Sequence, residues 1–448
     1  MERVDRFIRD PHRALFTLTG PFLVSMIVQV LYNVVDTAFI GRVGSDALAA
    51  ITFAFPVLFM LISINSGIGI GMRSLISRSL GAKNKEEAEI AATHALFLTL
   101  AIALIIFIIG MVAMDTLFAL FGASEAVRPL AQEYLSILLL AVFFMFTSGI
   151  FMNIFSGQGD TKTPMYITVA SLVTNIILDP IFIFGLDMGV RGAAVATLLA
   201  FAVATVSYIF VFRKRSQIRF RLKGLRWQWT MVAEILRVGV PASLTMLIIT
   251  IYFMFINRFM AHFSMDHVAA FGIVARLESV MVMPMAALGL SLVTLVGMFY
   301  GAKEYEKMID VTWMSLRYAL AFAVFMGVVM FIWPAPFLRI FTPDARLIEL
   351  GAAYMRYNVF TFPLMAVTQI VSRSMQGLGY GTPGLVINAL RVLIGAIPLA
   401  YIFIFLVGLP YYFVAVAGII GGTIASIVGL LWLRSLYARC RNSTTASA

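Results

Sequence analysis

The sequence predicts an all-α membrane protein with twelve transmembrane helices, built as two six-helix lobes related by a parallel internal repeat. Three observations predict it. Of 448 residues, 61% are hydrophobic and 12% charged, with a mean hydropathy of +0.96, whereas soluble domains carry about 25% charge. The apolar runs are long enough to cross a hydrocarbon layer about 30 Å thick. The two halves also repeat: Gly81-Ala82-Lys83 returns as Gly301-Ala302-Lys303, a shift of 220 residues (301 − 81). At that shift Pro21 matches Pro241, Ala49-Ala50 matches Ala269-Ala270, Tyr134 matches Tyr354, and Gly157 and Gly159 match Gly377 and Gly379.

Hydropathy places the spans at about 14–40, 47–72, 91–115, 132–155, 164–185, 191–212, 236–259, 268–296, 311–334, 350–372, 384–407 and 414–436. The opening MERVDRFIRDPHRALF lacks a small-residue cleavage site, so no removable signal peptide is read there. Most Lys and Arg fall on one side of these spans, which puts both termini in the cytoplasm by the positive-inside rule. A net charge of +11 therefore reads as topology and not as a nucleic-acid surface. The longest polar stretch, RKRSQIRFRLKGLRWQW, lies between spans six and seven. It sets an N-terminal lobe at 1–212, a basic cytoplasmic connector at 213–235 and a C-terminal lobe at 236–448. Six spans per half start each repeat on the same side, so the lobes relate by an axis along the membrane normal. Such parallel repeats are a transporter architecture, with the substrate site between or within the halves.

Span one carries a polar stripe of Ser25, Gln29, Tyr32 with Asn33, and Asp36, three to four residues apart and so on one helix face. An Asp at membrane depth costs about 2.5–3.5 kcal/mol on insertion scales and normally faces a bundle interior or a water cavity. Span five repeats the pattern with Thr168, Ser171, Asn175 and Asp179, and Pro180 should kink it. Tyr134 in span four and Thr197 in span six fall at the same level, about 5–10 Å below the outer surface at 1.5 Å per residue. Two carboxylates, an amide and a hydroxyl at one depth can hold a shared proton or a hard cation; a static hydrogen-bonded lock between helices remains the alternative. Asn153, near the cytoplasmic end of span four, is excluded from this site.

The second half has Ile256 where the first has Asp36, so the acidic pair belongs to the N-terminal lobe alone. Its own charges, Arg276 and Glu278 in span eight, are two apart and cannot pair along one helix face. Each is expected to find a partner on another helix, in a structural more than a coupling role. Arg356 and Arg391 are read as snorkelling to the surface. One cysteine, Cys440, and four scattered histidines offer neither a disulfide framework nor a metal cluster. Asp36 and Asp179 could imitate an aspartyl dyad, but no catalytic-looking loop or water-activating His accompanies them. An enzyme is not expected.

Several runs resemble a known family: QVLYNVVDTAFIGRVG in span one, GQGDTKTPM after span four, NIILDP in span five and RGAAVAT opening span six. They look like the multidrug and toxic compound extrusion (MATE) transporters over essentially the whole chain, and most like the branch of DNA-damage-inducible and archaeal-type exporters. The resemblance implies a cation-coupled antiporter that exports bulky, often cationic or amphipathic compounds by alternating access, driven by inward H⁺ or Na⁺. It carries the cation site to Asp36, Asn175, Asp179 and Thr197. It places Gln29 and Tyr134 at cavity positions, which with Tyr32, Asn33, Thr168 and Ser171 make the expected substrate lining. Pro21 stands where the family bends its first helix, with Pro180 as a second conformational point. The acidic residues of the other bacterial branch, in spans seven and ten, are absent. The expected partners are the bilayer and small organic substrates, with no nucleic acid, no cofactor, and no metal beyond a possible Na⁺ at the four cation positions. The chain is expected to be a monomer in the inner or plasma membrane of a prokaryote. The competing expectation is a flippase for lipids or lipid-linked oligosaccharides.

Overall fold

The computed structural model describes residues 2–120, 122, 124–125, 127–221 and 226–445. The first half runs through α1 (Glu2–Arg9), α2 (Pro11–Gly41), α3 (Ser45–Gly81), α4 (Lys85–Leu120), α5 (Val127–Gly157), α6 (Lys162–Pro180) and α7 (Gly189–Arg215). The second half runs through α8 (Trp229–Phe263), α9 (Met265–Gly301), α10 (Tyr305–Ile332), α11 (Pro334–Arg339), α12 (Ala345–Asn358), α13 (Thr361–Gly377), α14 (Thr382–Ala389), α15 (Ile397–Tyr401) and α16 (Phe413–Thr445). There is no strand among the described residues. That is what lipid demands, because a helix satisfies its backbone polar groups internally.

Eleven of these segments are long and apolar enough to cross a membrane. The span expected at 350–372 is instead two shorter helices, α12 and α13, joined by a turn at Val359-Phe360. Pro363 explains the break. It has no N–H to give the Val359 carbonyl, which accepts from Phe362 N at 3.2 Å in a tighter turn. The helix restarts with Pro363 in its first turn, where proline is tolerated, and Thr361 Oγ1 donates to Asn358 O at 2.6 Å.

The repeat is visible in geometry as well as in letters. Lys83 and Lys303 both adopt φ 59°, a left-handed turn unfavourable for a residue with a side chain. Both ends close alike: Asn84 N donates to Ser79 O and Glu304 N to Phe299 O, each at 2.9 Å. Farther on, the same four letters, Ile-Phe-Ile-Phe, begin a widened π turn in each half, at Ile181–Gly185 and Ile402–Leu406.

Two compact units divide the chain: Met1–Thr19 together with Val240–Ala448, and Gly20–Gly239. The division crosses α2 and α8 at points 220 residues apart (239 − 19), just ahead of Pro21 and Pro241. A proline inside a helix removes one backbone hydrogen bond, so both crossings fall beside the softest point of their helix. Within the unit Gly20–Gly239, α3 meets the start of α8 so closely that a Cβ on Gly71 would lie 2.1 Å from the Ile235 carbonyl oxygen. Within the other unit, Thr19 Oγ1 donates to Ser291 Oγ at 3.1 Å. Ser291 stands at the repeat position of Gly71, so one seam closes by backbone approach and the other by a hydroxyl pair.

The connector is pinned to α4. Arg219 N donates to Glu89 Oε1 at 3.1 Å, Arg221 N to Thr93 Oγ1 at 3.0 Å, and the Arg221 guanidinium reaches both Glu86 and Glu89. Gln228 N donates to His94 Nε2 at 2.9 Å while His94 Nδ1 faces Ile90 O at 2.8 Å, a pairing satisfied by one neutral tautomer.

Candidate functional site in the N-terminal half

The acidic site is assembled at the ends of α2, α6 and α7, with α5 behind it. Asn175 and Asp179 are one turn apart on α6, so they share a face, and Asn175 Nδ2 donates to Asp179 Oδ1 at 3.0 Å. Asp179 is fully buried and its Oδ2 has no hydrogen-bond donor among the described residues. The Asp36 carboxyl, from α2, lies within hydrogen-bonding reach of the Asp179 carboxyl. An ionised carboxylate only accepts, so two carboxyls can meet only with a proton or cation between them. Tyr32, one turn before Asp36, brings its hydroxyl within reach of Thr197 on α7. The buried Tyr134 ring of α5 lies close enough to feel the charge of both aspartates. Ile40, Ile183, Val190 and Ala193 join Tyr134 in an apolar cluster. Asp179 is fully buried, whereas Asp36 is half-buried.

Pro180 does not simply kink the helix. Beyond it the chain widens into the π turn Ile181–Gly185, closed by Leu186 N to Ile181 O at 2.8 Å. Such turns recur at functional sites. Gly192, in the RGAAVAT run, carries the abutting face of α7. A Cβ there would sit 2.7 Å from the Phe182 carbonyl carbon and oxygen. This contact sets the height of Thr197 against Asp179, and no spacing rule in the sequence announces it.

Other expected lining residues lie apart from this cluster. Gln29 is exposed on α2. Ser171, eight residues before Asp179 and thus about 12 Å down the helix, donates to the Ala200 carbonyl on α7 at 2.8 Å. Thr168 lies within reach of the Tyr208 hydroxyl. The backbone of Asn33 is helical, but its side chain lies outside the described residues. Pro21 lies inside α2, where Ser25 Oγ donates to its carbonyl at 2.9 Å.

The second-half charges separate. Arg276 is exposed, whereas Glu278 lines a cavity with Tyr252, Asn358, Thr361 and Arg391. Asn358 Nδ2 donates to Glu278 Oε2 at 3.4 Å. Arg391 thus faces the interior of its unit, contrary to the expectation that it snorkels. It sits in a second π turn, Leu390–Ala396, that re-aims the side chain.

A chain with eleven helices long and apolar enough to cross a membrane, duplicated halves and two carboxyls gathered within one half has the architecture of a membrane transporter. The MatE family signature matches residues 21–181 and again 241–402, and the chain belongs to that family. Each match opens on one of the repeated prolines. The chain is 29% identical over 401 residues, 87% of each chain, to the "FAD transporter" of Shewanella oneidensis. It is 26% identical over 436 residues to the "Probable multidrug resistance protein NorM" of Thermotoga maritima, covering 96% of this chain and 92% of that one. Among solved structures it superposes on a MATE protein "in the bent conformation" with a TM-score of 0.95 at 28% identity, covering 99% of both chains. It also matches an "outward-facing conformation of a multidrug resistance MATE family transporter", TM-score 0.92, 29% identity, covering 98% of both. The two-lobed, all-helical fold and the membership of a family of multidrug efflux transporters, which are not enzymes, follow.

Proposed function

We propose that the chain is an antiporter that exports bulky organic compounds, often cationic or amphipathic, from the cytoplasm in exchange for H⁺ or Na⁺ by alternating access. The observation that carries the reading is the meeting of Asp36 and Asp179 around the Asn175 amide in a site closed by apolar side chains. Such a pair needs a proton or cation between its carboxyls. When the cation or proton enters, the Asp36 and Asp179 carboxyls draw together, with Asn175 and the Tyr32–Thr197 hydroxyl pair holding α2, α6 and α7 in one arrangement. When it leaves, repulsion between the carboxylates favours another. The ion acts by its differential affinity for the two states. α2 bends at Pro21, and both termini lie in the cytoplasm of a prokaryotic cell. The protein works as a monomer.

Reconstituted into liposomes, the wild type should expel a fluorescent cation when a pH gradient or a Na⁺ gradient is imposed, and the effective gradient names the ion. Asp36→Asn should fail under both. Export that survives both Asp36→Asn and Asp179→Asn would defeat this mechanism. The relative named as an FAD transporter supports a second substrate class, an anionic aromatic dinucleotide, which the same liposomes can test by FAD efflux. Lipid scrambling without dye export would favour the flippase.

A further inference from the structure

The unit Met1–Thr19 with Val240–Ala448 holds a second polar constellation that the acidic site does not use. Its cavity is about 70 Å³, room for several waters or one small polar group. Tyr252 comes from α8, Glu278 from α9, and Arg391 from the π turn Leu390–Ala396. Asn358 and Thr361 flank the break between α12 and α13, so Pro363 opens the wall on which they sit. Most of the remaining lining is apolar, including Ile249, Phe253 and Leu364.

Two opposite charges in such a wall are costly unless paired and hydrogen-bonded. Here they are held apart. Glu278 and Arg391 feel each other's charge, yet among the described residues no ion pair within 4.0 Å joins them. Glu278 takes one long bond, from Asn358, and no acceptor for the Arg391 guanidinium is found among the described residues. The backbone that carries Arg391 is fixed. A Cβ on Gly421 of α16 would lie 2.5 Å from the Arg391 carbonyl oxygen, and one on Gly395 would lie 2.5 Å from Gly421 Cα. A structural salt bridge would close its gap, whereas no ion pair within 4.0 Å joins this one among the described residues. A guanidinium fork with its donors free matches a carboxylate or phosphate, and a carboxylate beside it matches a cationic nitrogen.

We propose that this cavity is a ligand subsite for a dipolar group, with an oxyanion of the ligand on Arg391 and its cationic nitrogen facing Glu278. Asn358 orients Glu278, and the Tyr252 hydroxyl borders the same space. The subsite rests on the export reading only in that the exported compound is the ligand that fills it; binding is measured without any ion gradient.

Rhodamine 110, a zwitterion with a free benzoate, and its methyl ester rhodamine 123, a cation, differ by one methyl group; each dye exceeds the cavity, so only the benzoate edge enters at Arg391 while the cationic xanthene stays at the mouth beside Glu278. Fluorescence anisotropy with the purified protein in nanodiscs should show tighter binding of rhodamine 110. Arg391→Gln should weaken rhodamine 110 about tenfold or more (1.4 kcal/mol per decade) and rhodamine 123 less than about twofold, while Glu278→Gln weakens both. Asp36→Asn should keep the dye preference even where export is lost, which separates this subsite from the coupling site. A readout free of variants covers poor folding of Arg391→Gln. Glycine betaine should displace rhodamine 110 from the wild type at concentrations where acetate and tetramethylammonium, each alone, compete at least about tenfold less. Equal wild-type affinity for the two dyes, a preference unchanged in Arg391→Gln, or equal competition by all three small ions would overturn the proposal.

Discussion

The two halves use nearly the same backbone to hold opposite kinds of polar site. In the first, α5 runs unbroken through Leu138 and Phe143, and the polar groups gather at the end of α6, where Asp179 meets Asp36. In the second, the corresponding span breaks before Pro363, Ile256 replaces the span-one aspartate, and the polar groups gather at the break. The first site brings two carboxyls together, which on the proposed reading calls for a cation. The second lines one cavity with unlike charges, which on the proposed reading suits a dipole. A duplicated fold can differ this way where a helix break or π turn changes the direction of side chains in one half.

The largest effect should come from removing like-charge repulsion in the first site. Asp36→Asn and Asp179→Asn should each abolish gradient-driven export, read as dye accumulation in liposomes under a pH or Na⁺ gradient. Dye binding should persist. A variant that loses binding along with export would erase the proposed division between the halves.

Next is the contact that sets the first site's geometry. Gly192→Val drives a side chain into the Phe182 carbonyl and should cost about 1–3 kcal/mol by overpacking, read as a lower Tm in nanodiscs. Gly272, with open space where its Cβ would point, should accept the same change with little loss.

A smaller effect should follow Pro363→Ala. It returns an N–H to the turn at Val359-Phe360, favours a continuous α12–α13, and draws Asn358 and Thr361 from the cavity wall. Hydrogen exchange at 359–364 should slow and rhodamine 110 affinity should fall by a few fold. Unchanged exchange would mean that something other than Pro363 breaks the span. Smallest should be Arg221→Ala. Its bonds to Glu86 and Glu89 are surface-exposed on the arginine side and worth little individually, so proteolysis within the connector should quicken while export changes less than about twofold.

The fold was legible in the sequence because lipid imposes long apolar runs and because duplicated loops such as Gly81-Ala82-Lys83 cannot hide their copies. Asp36, Asn175 and Asp179 were legible for a related reason: a carboxylate or amide at membrane depth is too costly to be incidental. The rest depended on direction. Helical periodicity puts Ser171 on the same face as Asn175, but it does not say that the hydroxyl turns to the Ala200 carbonyl. An arginine a few residues into a span reads as snorkelling, and only the π turn at Leu390–Ala396 aims Arg391 inward. Pro363 lay in plain view inside an apolar run, yet a proline there signals a kink as readily as a break. Gly192 and Gly71 matter through what a Cβ would strike, which is invisible without coordinates.

The central claim is that the paired carboxyls couple the ion while ligand recognition lies elsewhere, and a comparison of two transport modes in one liposome preparation tests it most directly. Asp36→Asn should exchange labelled for unlabelled rhodamine 110 across the membrane with no gradient, at a rate within about threefold of wild type, yet fail to accumulate dye when a pH or Na⁺ gradient is imposed. Gradient-driven accumulation at the wild-type level in Asp36→Asn would contradict the account.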